Sequence, residues 1–188
     1  MQSQVPNSIL QGVNSQHLNT SNQLMNPTIA ITHERKHPLD NRIPPPVIVL
    51  LIGVAMAVTA WFTPAMTIEN NVRFVVGGIV LVMGILIVVR GARTFWKNKT
   101  TINPVDIDQA SALVTDGIFR YSRNPMYVGF TVVLTGWAIC LAAPWALIGP
   151  IVFALFTNRF QIIPEERVMH AKFGQAYDDY KASVRRWV

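Results

Sequence analysis

Residues 126–163 read MYVGFTVVLTGWAICLAAPWALIGPIVFALFTNRFQII, and no charged side chain occurs among them before Arg159. Pro144 divides the run into arms of residues 126–143 and 145–163. At ~1.5 Å per helical residue each arm reaches ~27–29 Å, close to the ~30 Å hydrocarbon core of a bilayer. Two such arms joined through one proline predict a helical hairpin that crosses a membrane and returns. Pro150 predicts a kink in the second arm.

Two more runs lie upstream. Residues 43–62 are opened by Pro44, Pro45 and Pro46, which suit a first helical turn whose amides are unpaired anyway, and Pro64 closes the run. Residues 72–89 end at Arg90 and Arg93. Their glycines, Gly77, Gly78 and Gly84, predict a close helix–helix contact. The expected fold is therefore an all-α membrane protein with about four transmembrane helices, near 43–62, 72–89, 126–143 and 145–163. Composition agrees: 51% of residues are hydrophobic and 14% charged, against roughly 25% charged in a soluble domain.

Charge placement predicts the orientation. Arg42, Arg90, Arg93, Lys97, Arg120, Arg123, Arg167, Lys172, Arg185 and Arg186 all flank one end of a four-span bundle, and only Arg73 flanks the other. The positive-inside rule then puts both termini and the segment between the second and third runs in the cytoplasm. The net charge of +6 is membrane-flanking charge, and no nucleic-acid partner is expected. Residues 1–41, rich in Asn, Gln, Ser and Thr, cannot bury a core and are expected to be a disordered tail before a membrane domain over 42–188. They lack the charged start and early apolar stretch of a signal peptide. The polar C-terminal sequence predicts an amphipathic surface helix carrying Val168, Ala171, Phe173, Tyr177 and Tyr180.

Some chemistries are excluded early. Cys140 is the single cysteine and lies in an apolar run, so neither a disulfide nor a cysteine zinc site is available. His17, His33, His37 and His170 show no metal-ligand spacing, and no metal is expected. The polar candidates gather at the basic end instead, in LVTDGIFRYSRNPMYVG (113–129) and RFQIIPEER (159–167). In the first, a turn and two arginines lead to Asn124–Pro125, which opens a span. In the second, Glu165 and Glu166 follow an apolar run; carboxylates at a helix start favour the dipole, and a pair also suits a ribose or a cationic group.

These strings, with the Phe173–Gly174 and Tyr177 that follow, resemble the isoprenylcysteine carboxyl methyltransferase family, which groups with the phospholipid methyltransferases. The likeness runs from Lys99 to Trp187. It implies S-adenosylmethionine as cofactor and a lipophilic methyl acceptor taken from the lipid bilayer. Carried over by position, the cofactor cradle is Leu113, Val114, Phe119, Asn124, Pro125, Met126, Tyr127 and Glu165. Phe119 stands where the family has Tyr, and Asn124 where it has His; Asn keeps a donor but is no acid or base near neutral pH. The family's acceptor-binding Arg falls on Gln161, and Arg159, two residues earlier, is the candidate catalytic and substrate-binding alternative. A prenylcysteine-like carboxyl group is the acceptor the resemblance implies, with a phospholipid amine as an alternative. No His or Lys lies in 113–129, which favours an acceptor needing no deprotonation. A competing enzyme, a nicotinamide-dependent reductase of the sterol-reductase type, has a Glu after the Pro-containing turn, where this chain reads Met126, Tyr127, Val128, Gly129, Phe130. A small transporter would carry ionisable residues within its spans, and these spans carry none at mid-depth. Oligomeric state is not legible.

Overall fold

The apolar runs become helices in the computed structural model, which describes residue 38 and residues 40–97 and 113–188. The expected disorder of the tail falls almost wholly outside those residues. Helix α1 is Pro45–Phe62 and α2 is Asn70–Lys97. A 3-10 turn, Gly117–Arg120, precedes α3, Pro125–Leu141. Beyond a second 3-10 turn, Pro144–Leu147, come α4 (Ile148–Thr157), a wide π turn (Asn158–Ile162) and α5 (Ile163–Phe173), then α6 (Gln175–Ser183). Among the described residues three helical stretches are long and apolar enough to cross a membrane: α1, α2 and the continuous rod Pro144–Phe173. Helix α3 is shorter, at 17 residues, or ~25 Å, and runs alongside α2.

The helices turn their bulk outward. Leu50, Leu51, Val54 and Val58 of α1 and Val75, Ile79, Val82 and Leu86 of α2 are all more than half exposed. An apolar surface of this extent is untenable in water and matches a hydrocarbon solvent. This is an integral membrane protein.

Its inner faces are small. Gly77, Gly84 and Gly91 recur every seven residues on α2, and Gly129 and Gly136 do so on α3. The two helices run antiparallel with their backbones nearly touching. A Cβ at Gly84 would lie 2.7 Å from the Val133 nitrogen and 2.8 Å from the Gly129 carbonyl oxygen; one at Gly136 would lie 2.6 Å from the Leu81 nitrogen. Gly78, expected in this contact, is not part of it: nothing lies within 4 Å of its would-be Cβ. It sits one residue, ~100° of helical rotation, off the seven-residue stripe. Helix α1 is tied to α3 by the Trp137 indole N–H, which donates to the Gly53 carbonyl at 3.0 Å. Met56 closes on Gly149 of α4. At the hairpin end Ala142 takes a left-handed conformation (φ 49°) and its carbonyl accepts the Met66 amide at 2.7 Å.

The rod departs from expectation in three ways. Pro150 falls in the first turn of α4, where no intrahelical amide bond is lost. The helix does not end at Ile163 but continues through Pro164 to Phe173, carrying the polar residues from Glu165 onward on the same rod as the apolar run. The irregularity lies at 158–162, where the π turn widens the helix. Pro164 has no N–H for the Phe160 carbonyl, and that carbonyl instead accepts the Asn41 amide at 3.0 Å. Gly174 (φ 50°, ψ −126°) then breaks the polar sequence into α5 and α6, because only glycine adopts that conformation without strain. Tyr177 and Tyr180 are buried against the protein on a helix separate from the one carrying Val168, Ala171 and Phe173, so the expected single amphipathic helix is two.

The glycine seam yields the first prediction. Gly84→Ala forces the α2 and α3 backbones apart and lowers the thermal midpoint of the detergent-solubilised protein, at a cost of roughly 1–3 kcal/mol for overpacking. Gly78→Ala meets open space and leaves the midpoint unchanged or higher, since Ala is the better helix former by up to about 1 kcal/mol.

Candidate active site

Asn124 ends the turn that Pro125 converts into a helix. Pro125, fully buried at the first position of α3, loses nothing by lacking an N–H there. Tyr127 then points across to the rod, where its hydroxyl donates to Glu165 Oε1 at 2.6 Å. The second carboxylate oxygen of Glu165 has no hydrogen bond among the described residues. One short bond thus joins the two stretches, 113–129 and 159–167, that sequence reading had marked separately.

Beside it lies an ion cluster. Arg186 grips Glu166 with both arms of its guanidinium, Nε to Oε1 at 3.0 Å and Nη2 to Oε2 at 2.6 Å. Its Nη1 donates to Asn158 Oδ1 at 3.2 Å. Arg123 approaches the same carboxylate at 3.2 Å with Nη2, while its Nη1 donates to the Tyr177 hydroxyl at 3.5 Å. Arg123 Nε is buried and has no hydrogen-bond partner among the described residues. Glu166 is therefore no solvated helix start; it pairs with two guanidinium groups at once. The Glu166 carboxylate holds Arg186 above its ordinary pKa. Burial, and then the negative charge of Glu166, push the Tyr177 phenol up to about 12. Burial raises Tyr180 as well, and its hydroxyl donates to the Phe119 carbonyl at 2.8 Å.

The remaining candidates divide. Val114 and Phe119 are buried, Phe119 edge-on to Phe95 with ring centroids 5.0 Å apart. Asn124 donates from Nδ2 to the Arg186 carbonyl at 3.0 Å. Met126 lies against Gly91, and Leu113 is half-buried. Arg159 and Gln161, two residues apart in the π turn, diverge. Arg159 is exposed, over the Phe160 ring at 5.6 Å. Gln161 is completely buried, and its Nε2 donates to the Ile43 carbonyl at 2.9 Å while Oε1 has no partner among the described residues. Half of the Gln161 amide is thus committed to structure. Among the described residues no group of three His, Cys, Asp or Glu is placed to hold a metal ion. Residues 98–112 lie outside the described part.

Residues 72–176, more than half of the chain and including both halves of this site, match the family described as phospholipid methyltransferase. The chain belongs to that family. Among curated relatives it is 31% identical over 111 residues to protein-S-isoprenylcysteine O-methyltransferase A of Arabidopsis thaliana, covering 57% of this chain and 55% of that protein. It is 32% identical over 111 residues to protein-S-isoprenylcysteine O-methyltransferase of Dictyostelium discoideum, covering 58% and 46%. An uncharacterized protein of Haemophilus influenzae is 41% identical over 63 residues, 34% of this chain and all of that protein. The chain spans about half the length of the two named methyltransferases. Arg186, Asn158 and Ser122 escaped the sequence reading. Arg186 looked like one more flanking charge, and only the adjacent Glu pair hinted at a counter-ion.

Tyr177 gives a pH prediction. Its folded pKa of about 12 exceeds the ordinary 10.0, so the folded state keeps a proton that the unfolded state releases. The stability this contributes is complete below pH 10 and is lost as pH rises through about 12. Thermal midpoints of the solubilised protein fall across that window, and the fall is shallower in Tyr177→Phe.

Proposed function

We propose that this protein transfers a methyl group from S-adenosylmethionine to a lipophilic acceptor at the membrane boundary, with Tyr127 and Glu165 at the centre of the cofactor site. The observation that carries the reading is the 2.6 Å Tyr127–Glu165 bond, which joins polar groups from two separate parts of a chain belonging to a methyltransferase family. The residues present suit the cofactor. A free Glu165 oxygen accepts from a ribose hydroxyl or an ammonium, and buried Val114 and Phe119 supply apolar walls. When bound, the cofactor supplies an electrophilic methyl on a sulfonium, and displacement at that carbon is in line.

The protein's part is then orientation and exclusion of water. Glu165 lies at the polar end of the rod, where a water-borne cofactor arrives. Arg159, a turn and a half further into the apolar part of the rod and exposed, suits a head group arriving from the bilayer. In this reading Arg159 orients the acceptor, and Gln161, anchored to Ile43, shapes the wall between. A prenylcysteine-like carboxylate is the acceptor favoured by the named relatives and needs no base. Membership of the phospholipid methyltransferase family keeps a phospholipid amine as the second reading. Transfer of a tritiated methyl group to prenylcysteine analogues and to extracted lipids, with the labelled product identified, tests both; no labelling with either class defeats the proposal.

Two predictions follow the site and its orientation. Glu165→Gln weakens binding of S-adenosylhomocysteine, measured calorimetrically, by about 1–3 kcal/mol as a cofactor hydroxyl loses its acceptor. Arg159→Ala leaves that binding intact and lowers turnover. Wild-type affinity in Glu165→Gln would remove Glu165 from the cofactor site. The basic end of the bundle is also proposed to face the cytoplasm. Cysteines introduced at Asn70 and Lys181 react with an impermeant reagent from opposite sides, and labelling of both from one side overturns the topology.

A further inference from the structure

The segment following α6, residues 184–188, lies along the turn that leads into α3. The Arg123 amide donates to the Arg185 carbonyl at 3.0 Å. The Arg186 carbonyl accepts from Asn124 Nδ2 at 3.0 Å and from Ser122 Oγ at 3.5 Å. The Arg186 side chain reaches the other way, to Glu166 at 3.0 and 2.6 Å and to Asn158 at 3.2 Å. Trp187 packs against the hydrophobic core and anchors the strap. One residue therefore grips the loop before α3 with its backbone, and the π turn and the start of α5 with its guanidinium. Its two principal partners each sit next to a proposed cofactor residue: Asn124 precedes Pro125, and Glu166 follows Glu165.

We infer that Arg186 is a positioning residue that holds the two halves of the cofactor cradle in register. The inference rests on the cofactor site proposed above. The Tyr127–Glu165 bond spans the same gap from inside, so the cradle is pinned at two points, and the strap supplies the outer one. A planar fork is needed for the outer pin. Two parallel N–H groups fix the direction of the Glu166 carboxylate while a third reaches Asn158, which a lysine ammonium, a rotating point charge, cannot reproduce. Arg186 does this from a partly exposed position, its side chain 34% accessible, so its replacement opens no core cavity. Its contribution falls on geometry at the site, where displacements near 1 Å cost about 10²-fold.

Arg186→Lys and Arg186→Gln in the full chain test this, with S-adenosylhomocysteine titrated calorimetrically and thermal midpoints taken without it. Both variants are expected to bind at least tenfold more weakly, with Lys no better than threefold above Gln and both cofactor-free midpoints close to wild type. Wild-type affinity in Arg186→Lys overturns the inference, as does a loss of affinity matched by an equal loss of cofactor-free stability. Hydrogen exchange on the unmodified protein gives an independent reading: S-adenosylhomocysteine slows exchange in peptides covering 122–124 and 184–188, and unchanged exchange there also overturns it. If the wild-type protein itself binds no S-adenosylhomocysteine, the failure belongs to the methyltransferase reading and is recognised before any variant is made.

Discussion

Backbone-to-backbone contact between α2 and α3 is the constraint on which the rest depends. Within lipid there is no hydrophobic drive for helices to associate, so close packing must supply the attraction. Glycines at seven-residue spacing on both helices let each backbone approach the other, with Val88, Val133, Leu81 and Cys140 closing over them. The seam runs to Gly91 against Met126, which brings the end of α2 up to the first turn of α3. Phe95, one turn further along α2, then meets Phe119. The turn carrying Phe119 to Asn124 is thereby held beside the rod, and Tyr127 faces Glu165. A close pair of helices in the bilayer sets the geometry of a polar cluster at its edge.

That cluster reverses the usual economy of the bundle. The spans interact through small apolar surfaces, whereas the end of the molecule is assembled by charge and hydrogen bonds between distant segments. Glu166 bridges Arg123 and Arg186, and Asn41 and Gln161 stitch the entry to α1 onto the π turn. The π turn and Pro164 belong together. A proline in a helix leaves one carbonyl without an amide, and the turn of chain before α1 supplies the missing donor. The irregular stretch carries Asn158, Arg159 and Gln161, so the break in the ladder is also where polar side chains are turned in different directions.

The spans were legible because a bilayer imposes length and polarity on consecutive residues, and such patterns survive in one dimension. The clustering of functional candidates at the basic end was legible for the same reason. Tyr127 and Glu165 were each marked, though no local rule says that residues 38 apart share a proton. Partners at long separation stayed hidden: Gln161 with Ile43, Arg186 with Glu166, Tyr180 with the Phe119 carbonyl. Gly78 misled because composition flags small residues without saying which lie on one stripe. Gly174 misled by omission: a single glycine in a polar helical pattern gave no sign that its φ would be positive and would fold α6 back with two tyrosines inward.

The glycine seam is periodic, and a periodic track does not define its own origin. Gly84 now meets Gly129, and Gly77 meets Gly136. Sliding α3 by one repeat, ~10 Å, would set Gly91 against Gly129 and Gly84 against Gly136, with as many matched layers as before. The observed alignment is chosen at the rims: by the Trp137 indole on Gly53, by the Ala142 carbonyl on the Met66 amide, and by Tyr127 on Glu165. The helix pair behaves as a rack whose teeth permit more than one setting, and these three bonds are the detents that stop it at one.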